Sequence, residues 1–74
     1  MNATLTTLGI LLNDRPRALA AGTTLMELLR EAGLAASKGV AAAVNGEVVP
    51  RSGWESRPLA QGDRVLVIRA TQGG

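Results

Sequence analysis

Apolar and polar residues alternate along the chain in short segments, and their spacing predicts five β-strands and one α-helix. The segment at residues 64–70 is apolar throughout its middle, which is typical of a strand covered on both sides. Residues 52–60 contain the only tryptophan and Pro58, and they are predicted to be irregular. The predicted strands are residues 8–13, 17–20, 40–45, 47–50 and 64–70.

The helix has the strongest local signals in the sequence. Thr24 and Glu27 have the spacing of a capping box. Gly33 fits a left-handed C-cap, and Leu34 follows where a Schellman motif places its apolar contact. Apolar residues recur on one face at Leu25, Leu28, Leu29 and Ala32.

Turn residues separate the strands. Asn13 to Pro16 and the pair Asn45 and Gly46 are typical of hairpin turns, and residues 61–63 predict a third turn. One amphipathic helix must bury its apolar stripe against one face of the sheet, so the fold class is α+β. Trp54 is interpreted as a cover over this small core. The predicted core is Ile10, Leu12, Leu25, Leu28, Leu29, Val44, Leu59, Val65 and Val67.

Two apolar residues of the last strand, Leu66 and Ile68, fall on the face away from the helix if this strand alternates. They either form an exposed apolar patch for partners or are covered by residues 52–60. The sequence leaves both possibilities open. Arg51, Arg64 and Arg69 are interpreted as solvated surface charges rather than as steering groups.

The amino-acid composition excludes several classes of function. The 74 residues make one domain and contain no Cys and no His, which excludes disulfides, thiolate sites and the usual general base. Eight basic and six acidic residues are scattered, so neither a nucleic-acid surface nor a metal site is predicted. No apolar run approaches the roughly 20 residues of a membrane span, and no signal peptide is evident, which predicts a cytoplasmic location. A binding or carrier module is favoured over an enzyme.

The chemistry that remains is at the end of the sequence. A short polar spacer, Thr71 and Gln72, leads from the last strand to Gly73 and Gly74. Such a tail has nothing to bury and is predicted to be mobile. Glycine fits a narrow channel, so the Gly74 carboxylate could be adenylated by another protein and then accept sulfur. A frayed terminus is the alternative interpretation.

The chain resembles the ThiS family of sulfur carriers in a series of motifs that occur in the same order. These are the hairpin glycine followed by Val49, Pro50 and Arg51, then Trp54, a Gly62–Asp63 turn and the terminal glycines. The resemblance runs from about residue 8 to residue 74. It implies a ubiquitin-like β-grasp fold with a mixed sheet of four to five strands on one main helix. Residues 1–70 would form the domain and 71–74 the tail, with residues 1–7 as an extension or the start of the first strand.

The resemblance also implies a reaction cycle. A ThiF-type, E1-like enzyme would use MgATP to adenylate Gly74, and sulfur from a cysteine desulfurase would convert the carboxylate to a thiocarboxylate. A ThiG-type thiazole synthase would accept the sulfur. Gly73 would keep the tail narrow and flexible enough to enter the partner's active site. The chain itself would bind no cofactor and would be a monomer when free. The predicted partner surface is Leu66, Ile68, Arg69, Thr71 and Gln72.

Two alternatives remain at this point. A molybdopterin-synthase small subunit shares the fold and tail, but the pattern from the hairpin to Trp54 favours the thiamine branch. A TGS-like β-grasp binding module has a similar core, although such a module needs no terminal Gly-Gly.

Overall fold

A five-stranded mixed sheet with one α-helix on one face forms the described part of the chain, residues 7–36 and 38–69 of a computed structural model. A 3₁₀ helix, Arg51–Ser56, replaces much of the segment predicted to be irregular. The remaining elements are β1 (Thr7–Leu12), β2 (Arg15–Ala20), α1 (Leu25–Glu31), β3 (Val40–Val44), β4 (Glu47–Val49) and β5 (Arg64–Arg69).

The strand order is β2-β1-β5-β3-β4, with β1 and β5 as parallel neighbours at the centre. Leu12 lies opposite Val65 in this pairing. Every other pair is antiparallel. The order confirms the α+β class and the mixed sheet, and it supplies the central parallel pair that the apolar pattern alone did not determine.

Both predicted hairpins close through two-residue turns in which each central residue has a positive φ. The values are 50° at Asn13 and 68° at Asp14, and 53° at Asn45 and 85° at Gly46. Such turns match the twist of the strands they join. Because the first turn is so tight, β2 begins at Arg15, and the predicted start at residue 17 was wrong. β2 includes a proline, Pro16, which an edge strand tolerates.

The helix ends follow the local signals. The Thr24 hydroxyl accepts from the Glu27 backbone N–H at 3.2 Å, and the Glu27 carboxylate accepts from the Thr24 N–H at 3.0 Å. At the other end Gly33 has a φ of 77°, and the Leu34 N–H donates to the Leu29 carbonyl at 2.7 Å. The capping box and the Schellman motif are therefore confirmed.

The core lies between α1 and the sheet and contains most of the predicted residues. Leu12 and Val67 are only half-buried, because Leu12 ends β1 and Val67 lies beyond that end on β5. Leu19 and Ala42 were missed, the first in a strand that looked weak and the second because its side chain is small. The buried apolar residues are Ile10, Leu19, Leu25, Leu28, Leu29, Ala42, Val44, Trp54, Leu59 and Val65.

Trp54 closes the core from the 3₁₀ helix, which confirms its interpretation as a cover. Its side chain is fully buried, and its indole N–H donates to the Val49 carbonyl at 2.9 Å. The Arg51 guanidinium lies 4.6 Å from the ring centroid and also donates to the Ala35 carbonyl. Arg51 thus has a structural role, which its interpretation as a solvated charge did not include.

Replacing Trp54 tests how far the core depends on this one aromatic residue. Trp54→Ala is expected to lower the free energy of unfolding by about 3–5 kcal/mol through the cavity it leaves. Trp54→Phe keeps a ring but leaves the Val49 carbonyl without its donor, so a loss of about 1–3 kcal/mol is expected. Urea denaturation followed by circular dichroism measures both. A loss below about 1 kcal/mol for Trp54→Ala would contradict the assignment.

Candidate functional site: the outer face of the sheet

The outer face of β5 presents large apolar side chains away from the helix. Val65 is buried against the core, whereas Leu66 is 50% exposed and Ile68 is 57% exposed. This alternation follows from the period of two along a strand. Because both side chains are exposed, the described residues of the 52–60 segment do not cover them, and the first of the two open interpretations holds.

The neighbouring strands extend this apolar surface. Ala43 lies opposite Leu66, and Ala41 lies opposite Ile68. On the far side of β3, Val48 of β4 lies opposite Ala43 and is 73% exposed. Since alanine side chains are short, the larger side chains on either side project above them. We call Ala41, Ala43, Val48, Leu66 and Ile68 the outer patch.

Positive charge lies at both ends of β5, with Arg64 on the face of the outer patch and Arg69, by the alternation along the strand, on the opposite face. Arg64 and Arg69 are the first and last residues of the strand, and both are exposed. Neither takes part in the two ion pairs found among residues 7–36 and 38–69, which join Arg17 to Glu31 and Arg57 to Glu47. A groove that overlaps the patch at Ala43 and Leu66 is lined by Leu11, Asn13, Asp14, Ala43, Gly46, Arg64, Val65 and Leu66.

The side chains of the described residues offer little chemistry of their own. Within residues 7–36 and 38–69, no group of three or more acidic residues is placed to hold a metal ion. In the same part of the chain, no polar or charged residue is buried. No helix described in the structure has the length and apolar character that a membrane span requires.

Of the predicted site residues, the structure places three. All three lie on β5, with Leu66 and Ile68 on the outer face and Arg69, by the alternation along the strand, on the opposite face. Thr71, Gln72, Gly73 and Gly74 lie outside the described residues, as do residues 1–6 of the predicted N-terminal extension. Arg69 is five positions before Gly74 in the sequence.

Sequence reasoning missed Val48 and the two alanines of the outer patch. A signal for Val48 was present, because Val48 and Val49 are adjacent in a strand and must point to opposite faces. Val49 packs against the core, which leaves Val48 outside. Ala41 and Ala43 could be assigned to this face only after the pairing of β3 with β5 was known.

Comparisons with known proteins agree with this architecture. The sequence model of the ThiS family matches residues 10–74. The chain is 37% identical to the sulfur carrier protein ThiS of Escherichia coli K12 over 65 residues, which is 88% of this chain and 97% of that protein.

Two solved structures of a thiamine biosynthesis protein from Geobacter metallireducens are also similar. The crystal structure, of a protein described as ThiS, has a TM-score of 0.77 at 26% identity over 90% of this chain and all of the other. The solution structure has a TM-score of 0.73 at 26% identity over 90% and 88% of the two chains.

Within the described residues, the central parallel pair and the one α-helix, together with these likenesses, define a β-grasp protein. The chain belongs to the ThiS family. This assignment confirms a sulfur carrier of thiamine biosynthesis rather than an enzyme, and it favours that branch over the molybdopterin-synthase subunit and the TGS-like module.

If the outer patch serves recognition rather than stability, its residues should tolerate polar replacement. Leu66→Thr and Ile68→Thr are each expected to lower the free energy of unfolding by no more than about 1 kcal/mol, because about half of each residue is already exposed to water. Val65→Ala on the same strand is the matched control and should cost about 2 kcal/mol. Thermal unfolding of the three variants measures this. Equal losses at Leu66 and Val65 would show that the patch is structural.

Proposed function

We propose that the chain carries sulfur as a thiocarboxylate on Gly74, which a ThiF-type adenylating enzyme activates and a ThiG-type thiazole synthase uses. The observation that carries the proposal is the exposed outer patch on β5, the strand that leads toward Gly74, in a chain of the ThiS family. The family match extends to residue 74 and so includes both terminal glycines.

The proposed chemistry needs only the carboxylate of Gly74 from this chain. One carboxylate oxygen attacks the α-phosphorus of MgATP, and pyrophosphate leaves. A persulfide derived from cysteine by a desulfurase then attacks the acyl carbon, and AMP leaves with its electron pair. A second thiol breaks the sulfur–sulfur bond and forms a disulfide with the donor, which leaves the thiocarboxylate on Gly74. MgATP belongs to the partner enzyme, and this chain binds no cofactor.

The outer patch supports the assignment of the partner surface. Leu66 and Ile68 present apolar area that remains in water in the free chain. Exposed apolar patches of this kind mark protein interfaces. Arg69 lies on the opposite face at the end of β5, so its positive charge suits a partner with an acidic site that encloses this end of the strand. Thr71 and Gln72 would continue the contact toward the active site of the partner.

The adenylating enzyme, the thiazole synthase and, indirectly, the desulfurase are thus the proposed partners. All three would meet the carrier in the cytoplasm, where ATP is available. The carrier itself would be the reactant in each encounter, through the carboxylate of Gly74. Nucleic acid and membrane play no part in this proposal.

The first test concerns the atom that reacts. Incubation with MgATP, a persulfide donor and a ThiF-type enzyme is expected to exchange one oxygen of the chain for sulfur, as measured by intact mass. A chain lacking Gly74 should stay unmodified, and so should a chain with one alanine added after Gly74. Modification of either control variant would place the sulfur elsewhere and overturn the proposal.

The second test concerns the outer patch. Leu66→Ser with Ile68→Ser should raise the KM of the carrier in the adenylation reaction by roughly ten-fold or more, because the double variant removes the two large apolar side chains of β5 that a partner would bury. Ala18 lies on the same face of the sheet in the edge strand β2, so Ala18→Ser is the matched control and should leave the KM unchanged. An unchanged KM for the double variant would remove the patch from the partner surface.

A further inference from the structure

The C-terminal half of β5 is supported unequally by its two neighbours. On one side β3 pairs with it as far as Arg69, which lies opposite Val40. On the other side β1 pairs with it only at Leu11 and Leu12, before the chain turns away. The Asn13 N–H makes the last backbone contact on that side, to the Val65 carbonyl at 2.8 Å.

Beyond this point the side chain of Asn13 takes the place of a strand. Its Oδ1 accepts from the Val67 N–H at 2.8 Å, and its Nδ2 donates to the Val67 carbonyl at 3.4 Å. In a continued parallel ladder the main-chain carbonyl of residue 13 would accept from Val67, but the φ of 50° at Asn13 turns the backbone away. Among the described residues, no further hydrogen bond reaches β5 from the β1 side after Val67.

The other hairpin turn provides a matching contact at the opposite end of β5. Asn45 Oδ1 accepts from the Arg64 N–H at 2.9 Å, and Asn45 Nδ2 donates to Asp63 Oδ1 at 2.9 Å. Both asparagines occupy the first position of a positive-φ turn, and both bind β5 with a carboxamide. The two asparagines bind different parts of β5. Asn45 binds Arg64 at the start of the strand, whereas Asn13 binds Val67, which lies seven positions before Gly74.

We propose that Asn13 is a positioning residue that holds the C-terminal end of β5 and thereby fixes where the chain leaves the sheet toward Gly74. This inference rests on the proposed function for its consequence in catalysis. If the end of β5 separates from the sheet, the residues that follow it can point in many directions relative to a partner. Holding that end lowers the conformational freedom that must be lost when the partner captures Gly74. The effect should therefore appear in the KM rather than in the kcat of the adenylation reaction.

Glycine substitutions at the two turns distinguish a positioning role of Asn13 from a general effect on stability. Asn13→Gly keeps the positive-φ turn, which glycine favours, and removes only the carboxamide. Asn45→Gly does the same at the start of β5. Both variants lose two side-chain hydrogen bonds at exposed sites, so their losses in unfolding free energy should be similar.

Amide hydrogen exchange in the free protein gives the first readout. Asn13→Gly is expected to speed exchange at Val67 about ten-fold and to leave Arg64 unchanged, and Asn45→Gly is expected to do the reverse. Asn13→Asp keeps the acceptor for the Val67 N–H, so its exchange at Val67 should lie between those of wild type and Asn13→Gly. Equal exchange at Val67 in wild type and Asn13→Gly would overturn the inference.

Adenylation kinetics give the second readout. Asn13→Gly should raise the KM of the carrier about three- to ten-fold with kcat nearly unchanged, whereas Asn45→Gly should stay within about two-fold of wild type. Equal rises in both variants would reduce Asn13 to a structural residue. If wild type itself is not adenylated, the proposed function fails, while exchange in the free protein still decides whether Asn13 holds β5.

Discussion

The packing of the short helix α1 onto one face of the sheet is the interaction on which the rest of the structure depends. Leu25, Leu28 and Leu29 are completely buried in a helix of seven residues. Trp54 seals the same core from the 3₁₀ helix. A chain of this size buries only about 60% of its unfolded surface, so it can cover one face of the sheet well and must leave the other open. The outer patch follows from this limit.

Strand β5 connects the two faces. Its odd-numbered residues Val65 and Val67 point toward the core, and its even-numbered residues Leu66 and Ile68 point outward. As the central strand it is also bound by both neighbours and by the carboxamides of both hairpin turns. The side chains that stabilise the core and those proposed to contact a partner therefore lie on opposite faces of one strand, and changes on one face need not disturb the other.

Local features of the structure could be predicted from the sequence, whereas contacts between distant residues could not. The capping box at Thr24 and the turn at Asn45 depend on neighbouring residues, and both are confirmed. The hydrogen bond between Asn13 and Val67 joins residues 54 positions apart. An asparagine in a turn motif gives no sequence signal for a hydrogen bond to so distant a residue. Exposure of Leu66 likewise depended on where residues 52–60 pack. The role of Gly74 stays a prediction, because it depends on a reaction with another protein.

The two edge strands have a consequence for self-association. β2 and β4 border the sheet, and an unpaired strand edge is a template for pairing with another copy. β2 contains Pro16 between two arginines, and β4 has only three residues and is followed by Pro50. Proline, charge and short length all weaken edge-to-edge pairing. The edges of the sheet therefore disfavour pairing with a second copy, so contacts with other proteins are left to the apolar outer face.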